Sequence, residues 1–264
     1  MSHDLRGRRA LVTGASSGLG VEFARQLAAA GADLVLVARR RDRLETLAAE
    51  LSEREGIDAR VEALDLATPD APDILLGRTE GDGLAVDLLI NNAGFGVYGD
   101  YLTIPWERER QMIQLDIMAV AHLTKVFAAP MVERGWGRIL QVASIASYQP
   151  VPTYSVYGAA KAFVRDFSEA VSVELEPHGV SSTVLSPGVT RTEFFDVAGQ
   201  QRRTLYQRLL MMSSARVAKI GLRALLAQRR SVVPGIGNRI GAFSTRLVPR
   251  SVATRVAHVT MRND

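Results

Sequence analysis

Cysteine is absent from the 264 residues, which excludes thiol nucleophiles, disulfide staples and cysteine-type zinc sites. Histidine is nearly as scarce. His3, His122, His178 and His258 stand far apart without ligand spacing, so no metal site is expected. The opening "MSHDLRGRRA" carries neither an apolar core nor a cleavage site, so no secretory leader is expected. No uncharged apolar run reaches the roughly 18–20 residues that a membrane-spanning helix needs. These absences point to a soluble, cytoplasmic chain with no transmembrane segment and no nucleic-acid partner.

Acid is nearly missing from the C-terminal quarter. Up to Gly199 the chain has 19 basic and 27 acidic residues; from Gln200 onward, 13 basic residues meet one acid, Asp264, a balance of +12. Such a segment on an acidic body suits an anionic partner, a membrane surface among them, or simply a solvated arginine-rich face. Only Lys125, Lys161 and Lys219 are lysines.

What is present is an alternation of short apolar runs with longer amphipathic stretches. "RALVTG", "DLVLVA", "RVEALD", "DLLINNAG", "GRILQVAS", "VSSTVLSPG" and "RSVVPG" read as strands. Helical patterns separate them, the longest being "QMIQLDIMAVAHLTKVFAAPMVER" and "TYSVYGAAKAFVRDFSEAVSVELEPHG", and "SSARVAKIGLRALLAQ" reads as a capped helix. Strands that are apolar throughout, alternating with helices, predict an α/β fold with a parallel sheet covered on both faces. Ligands of such sheets bind at the carboxyl ends of the strands, where the "SSG", "NNAG", "ASIAS" and "SPG" segments all fall. No internal repeat or low-complexity linker divides the chain. After Pro187 the pattern loosens into an expected flap of short helices over about 190–212. The tail from about 235 to 264 is only weakly periodic.

"TGASSGLG" sets Gly14, Gly18 and Gly20 between the first strand and a helix. Glycines there permit a tight turn, close approach of a ligand to the backbone and close helix packing, and the helix N-terminus offers free N–H groups to a pyrophosphate. The spacing is G-x3-G-x-G, not G-x-G-x-x-G, and a ligand-free structural turn is the alternative. About 20 residues on, where an NAD site places an acid, the chain reads "VARRR", with Arg39 and Arg40 after Ala38. Guanidinium groups pair with a 2′-phosphate that an acid would repel, so NADP(H) is expected over NAD(H).

Five motifs in order, "TGASSGLG", "NNAG" at Asn91–Gly94, Ser144 in "VASIAS", "YGAAK" at Tyr157–Lys161 and "SPGVTRT" from Ser186, make the chain resemble the short-chain dehydrogenase/reductases. The likeness runs from about Arg8 to Pro234. The tail, with "VVPGIGNR" and "RLVPR", resembles more weakly the DltE-like and 3-ketoacyl-CoA-reductase-like branches. The resemblance implies a single-domain Rossmann fold, a doubly wound parallel sheet of about seven strands, and a homodimer or homotetramer built on the long helices. The apolar faces around Val120 and Phe167 permit such an assembly. The core is expected over about 8–234, with the basic segment from about 235 to 264 as an extension.

Carbonyl reduction needs hydride at carbon and a proton at oxygen. Tyr157 and Lys161, four residues apart, share one helical face, and the ammonium stabilises a phenolate. Tyr154 lies two turns from Lys161, so it is expected to line the pocket or pack, and Tyr157 is the expected acid/base. Ser144 is expected to hold the substrate oxygen. The resemblance further places Lys161 on the nicotinamide ribose, Ser16, Ser17 and Leu19 with the glycine loop on the cofactor, and Asp65 at the adenine with Leu66 beside it. It places Asn91 beside the adenosine and Ala93 and Gly94 near the ribose. Pro187, Gly188, Val189 and Thr190 fall over the nicotinamide, and Thr192 near the diphosphate.

One position departs from the family. Asp116 stands where the family has an asparagine whose backbone carbonyl holds a relay water. Its carboxylate either pairs with Lys161 or a nearby group and alters the pH profile, or caps or pairs within the helices. Pocket walls are expected from Phe95, Val97, Ile145, Tyr154, Phe194 and Phe195, apolar enough for a hydrophobic carbonyl compound or secondary alcohol and without an obvious charge-recognition residue. An acyl thioester fits if the basic segment binds an anion. The alternatives are a regulatory module that binds NADP(H) without turnover, and a membrane-surface protein acting through the Arg-rich segment.

Overall fold

Leu34 and Leu36 turn to one side of strand β2 (Asp33–Ala38) and Val35 and Val37 to the other, and all four are fully buried. A strand buried on both faces needs a neighbour on each edge and a helical layer above and below. The computed structural model, which describes residues 4–200 and 211–261, supplies both. β1 (Arg9–Thr13), β2, β3 (Ala59–Ala63), β4 (Leu88–Asn91), β5 (Gly137–Val142), β6 (Val180–Leu185) and the two-residue β9 (Ser231–Val232) form one parallel sheet in the order 3-2-1-4-5-6-9. β1 is central, with Leu11 beside Val35 of β2 and Leu89 of β4. The order reverses between β1 and β4, and a crevice opens there beyond the strand ends.

Side-chain alternation sorts the core into two layers. On one face Val12, Leu34, Leu36, Ile90 and Leu140 meet α1 (Gly18–Ala28), α2 (Arg41–Glu55) and α8 (Ser214–Leu226) through Phe23, Leu27, Leu44, Leu51, Val217 and Leu225. On the other face Leu11, Val35, Val37, Leu89 and Ile139 pack on Leu75 of α3 (Ala71–Gly77) and on Leu123, Phe127 and Met131 of α5 (Val120–Glu133). The last three recur every four residues, the stripe that a helix lays against a sheet. Ser213 caps α8, its hydroxyl accepting from the Arg216 amide at 3.4 Å. β9 is one edge of the sheet and β3 the other.

The long pattern before β5 is not one uniform helix. α4 (Trp106–Ile113) runs into a wider π turn, Gln114–Ala119, before α5 begins. By length and composition Trp106–Glu133 is able to cross a membrane, yet Leu123, Phe127 and Met131 face the sheet. α6 (Ser155–Leu175) carries the second long pattern. Val120 offers no interface, because it is buried against Ala143, Val164 and Val184. The large apolar side chains exposed on these helices are Trp106, Met118, Phe163 and Val173, and Phe163 stacks on Phe167 at 5.5 Å.

The expected flap is described in part. β7 (Thr190–Arg191) pairs with β8 (Met212–Ser213), and α7 (Phe194–Ala198) follows β7; positions 201–210 lie outside the described residues. The weakly periodic tail forms two helices, α9 (Ile236–Ser244) and α10 (Arg250–Met261).

Candidate active site

A cavity of about 880 Å³ lies over the carboxyl ends of the strands. One end is built by the turn after β1. Gly14 takes a φ of 67°, and a Cβ at Gly20 would stand 2.1 Å from the Gly14 carbonyl oxygen. Gly20 therefore gives the close packing expected of one loop glycine, and it does not line the cavity, although the resemblance placed the whole loop on the cofactor. No side chain caps the α1 N-terminus, so its first amides stay available beside Gly14, Ser16, Ser17, Gly18 and Leu19 on the cavity wall.

The β2 end contributes Arg39 and Arg40 to the wall, and the β3 end Asp65 and Leu66. Arg40 is fixed by its neighbours: its Nε and Nη2 donate to Ser16 Oγ at 3.2 and 3.1 Å, and Nη1 faces Glu193 at 3.3 Å. Arg43 holds the other Glu193 oxygen at 3.0 Å, so both guanidiniums keep this carboxyl below its ordinary value. Glu193 was not anticipated from the sequence; it joins the start of the flap to the arginine run across 150 residues.

At the β4 end one expected residue is displaced by its neighbour. Asn91 points inward, donating to Thr124 Oγ1 and Gln141 Oε1 at 3.1 Å, and does not reach the cavity. Asn92 lines it instead and ties the two strand ends together, its Nδ2 donating to the Thr13 carbonyl at 2.9 Å. Strand alternation explains the swap. Ala93, Gly94 and Phe95 follow along the wall, whereas Val97 packs outside it among aromatic residues.

The inner wall brings together Ser144, Tyr157 and Lys161. Ser144 follows β5, and its hydroxyl accepts from the Ala146 amide at 3.1 Å, opening a short 3-10 turn. The Ile145 amide donates to the Pro187 carbonyl at 2.9 Å, fixing that strand end to the next. Pro187, Gly188, Val189, Thr190 and Thr192 form the facing edge. Lys161 Nζ lies 5.8 Å from the Tyr157 ring centre and donates to the Val142 carbonyl at 3.2 Å.

Asp116 completes the set from beneath. The π turn carries its carboxylate to 2.9 Å from Lys161 Nζ, with the two side chains 0% and 6% exposed. The Phe95 amide donates to Asp116 Oδ1 at 3.1 Å. Gly94 is the floor over this pair: a Cβ there would lie 2.9 Å from Asp116 Oδ1 and 3.0 Å from Lys161 Nζ. Of the two readings left open by the sequence, the carboxylate–ammonium pair is the one that forms.

The electrostatics follow. Burial raises the Asp116 carboxyl above its usual range, while Lys161 draws it back. Burial lowers Lys161, but the Asp116 charge and then Tyr157 outweigh that and leave it raised. For Tyr157, burial is the largest effect and raises the phenol; Lys161 and the Ser144 hydroxyl pull it down, and Asp116 pushes it up. The net rise modifies the expectation of a simply acidified phenol, because burial outweighs the lysine's pull.

Tyr154 has a different occupation. Its hydroxyl donates to Gln200 Oε1 at 2.8 Å in a buried contact. Its ring sits between Tyr98, at 5.2 Å, and Tyr157, at 5.8 Å, while Tyr157 meets Phe194 at 5.3 Å. Burial raises its phenol strongly. Ile145, Tyr154, Phe194 and Phe195 all line the cavity as expected. Two features of the wall were not expected: Arg108, 5.0 Å from the Phe95 ring, brings a cation to it, and Asn238, Ala242 and Thr245 of the tail close one side. Among the described residues no cluster suits a metal ion.

Residues 8–203 match the family model for short chain dehydrogenase. The chain is similar to the very-long-chain 3-oxoacyl-CoA reductase of Phaeosphaeria nodorum, 38% identical over 179 residues, which cover 66% of this chain and 52% of that protein. It thus spans about half the length of the curated relatives it matches. Solved structures resemble it over nearly their whole length. A short-chain dehydrogenase from Sphingobium yanoikuyae in complex with NADPH is 30% identical, with a TM-score of 0.81 over 91% of this chain and 93% of that one. The bulky-bulky ketone specific alcohol dehydrogenase from Comamonas testosteroni is 26% identical, with a TM-score of 0.77 over 91% and 92%.

Removing one member of a buried ion pair strands the other charge. Asp116→Ala is therefore expected to cost about 3–5 kcal/mol in urea unfolding, and Asp116→Ala with Lys161→Met to cost clearly less than the two single changes added together. Additive losses would show that the two groups do not interact.

Proposed function

We propose, from the premise that this chain belongs to the short chain dehydrogenase family, that it reduces a bulky hydrophobic ketone to a secondary alcohol with NADPH. The observation that carries this reading is the meeting of Tyr157, Ser144 and Lys161 on the inner wall of a cavity whose far end is an uncapped helix N-terminus with two arginines. The donor set fits an NADP-type dinucleotide. The α1 amides and Ser16–Leu19 would hold the diphosphate, Arg39 and Arg40 the 2′-phosphate, and Asp65 the adenine side. When bound, NADPH supplies the hydride.

The chain's own residues manage the oxygen. Ser144 orients the carbonyl, its hydroxyl held in place by the Ala146 amide. Tyr157 donates the proton, and its raised phenol stays protonated at neutral pH, the state that reduction requires. Lys161 stabilises the phenolate left behind, and Asp116 with the Val142 carbonyl keeps the ammonium in place. Tyr154, committed to Gln200, serves as wall and as an anchor for the flap.

Phe95, Val151, Tyr154, Phe194 and Phe195 give the substrate end an apolar surface, and the cavity volume suits a large molecule. A 3-oxoacyl thioester is the substrate class that both this wall and the curated relatives favour. Arg108 is placed to meet an anionic group at the rim. This reading supersedes the expectation that the pocket lacks charge recognition.

Tyr157→Phe should lower kcat/KM for ketone reduction by about 10²–10⁴-fold, while NADPH fluorescence still reports binding. Unchanged turnover would refute the assignment. Arg39→Ala with Arg40→Ala should weaken NADPH binding about 10–100-fold and leave NADH binding near its wild-type value. Equal losses for both nucleotides would remove the arginines from 2′-phosphate recognition.

A further inference from the structure

The two tail helices are turned inside out. In α9 the inward positions are Asn238 and Ala242, while Ile236, Ile240, Phe243 and, just beyond the helix, Leu247 are 76%, 64%, 59% and 71% exposed. Spaced by four, three and four residues, they fall in one stripe along the helix. In α10 the inward residues are Ala253 and Ala257, and Val252 and Val259 face out. An ordinary surface helix places its large apolar side chains against the core and its polar ones in water. Here small residues make the inner contact and large ones are left outside.

The charge around these stripes has one sign. From Ile236 to Met261 there are four arginines, Arg239, Arg246, Arg250 and Arg255, and no acid. Arg239 and Arg246 each follow an apolar member of the stripe, Ile236 and Phe243, by three residues and so flank it, as Arg255 does beside Val252 and Val259. Apolar side chains bordered by long cationic ones match the interface of an anionic bilayer, where the stripe enters the acyl boundary and the guanidiniums stay with the headgroups. A second copy is the poorer partner, because a symmetric contact would set arginine against arginine with no acid on either side.

We propose that α9 and α10 form a docking surface for an anionic lipid bilayer. The same helices supply Asn238, Ala242, Thr245 and Val256 to the cavity wall, so docking sets one wall of the site against the membrane. The proposal goes beyond the reductase reading and does not depend on it, since lipid binding is read without turnover.

The test is co-sedimentation of the full chain with vesicles of phosphatidylcholine alone, or of phosphatidylcholine and phosphatidylserine in equal parts. The protein should pellet with the anionic vesicles, stay largely in solution with the neutral ones, and be released as salt rises. Ile240→Glu with Phe243→Glu, which touches neither cavity nor catalytic residues, should lower partitioning by about 100-fold with an unchanged melting temperature. Arg246→Glu with Arg250→Glu gives an independent variant should the first not fold, and should abolish the preference for anionic vesicles. No pelleting with anionic vesicles, equal pelleting with neutral ones, or wild-type binding by folded variants would overturn the proposal. So would loss of an oligomer in the Glu variants without any vesicle binding by the wild type, which would assign the face to a second copy.

Discussion

An ammonium and a carboxylate 2.9 Å apart, both almost wholly buried, are the constraint on which the site depends. Taking two such charges from solvent costs several kcal/mol each, and only close pairing with further hydrogen bonds offsets this. The structure provides them: the Phe95 amide serves Asp116, the Val142 carbonyl serves Lys161, and glycine at position 94 leaves the room. Each of those partners sits at the end of a strand or in the segment just after it. The pair therefore exists only when β4 and β5 are in register and α6 packs across them, which couples the electrostatics of the site to the folding of the sheet.

The pair also bears on Tyr157. An unshared ammonium beside a phenol would favour phenolate, and with it the abstraction of a proton from an alcohol. Around Tyr157 burial is the largest influence and outweighs Lys161 and the Ser144 hydroxyl, with Asp116 adding to the rise, so the phenol keeps its proton. A protonated phenol is the state that carbonyl reduction uses.

Much of this arrangement was legible in the sequence. Runs such as "DLVLVA" are apolar at every position after the first and read directly as strands buried on both sides, and their alternation with helical patterns dictates the parallel sheet. The glycine loop and the Tyr157–Lys161 spacing depend on local geometry, so they were legible too. Other features depend on contacts that no local pattern records. The π turn at Asp116 lies within a seemingly continuous helical stretch, Glu193 reaches its arginines across the fold, and Asn91 and Asn92 differ only in which way a strand end turns. The tail looked weakly periodic for a physical reason: its inner face is alanine and asparagine, and its large side chains mark the outer face.

The central claim concerns one phenol in one electrostatic setting. It is tested most directly by an ultraviolet difference titration of phenolate in the free protein, taken as wild type minus Tyr157→Phe and repeated in the Asp116→Asn background. The account predicts that Tyr157 ionises above the ordinary tyrosine value of about 10 and that Asp116→Asn moves it to lower pH. Ionisation below the ordinary value in the wild type, or a titration that Asp116→Asn leaves in place, would contradict it.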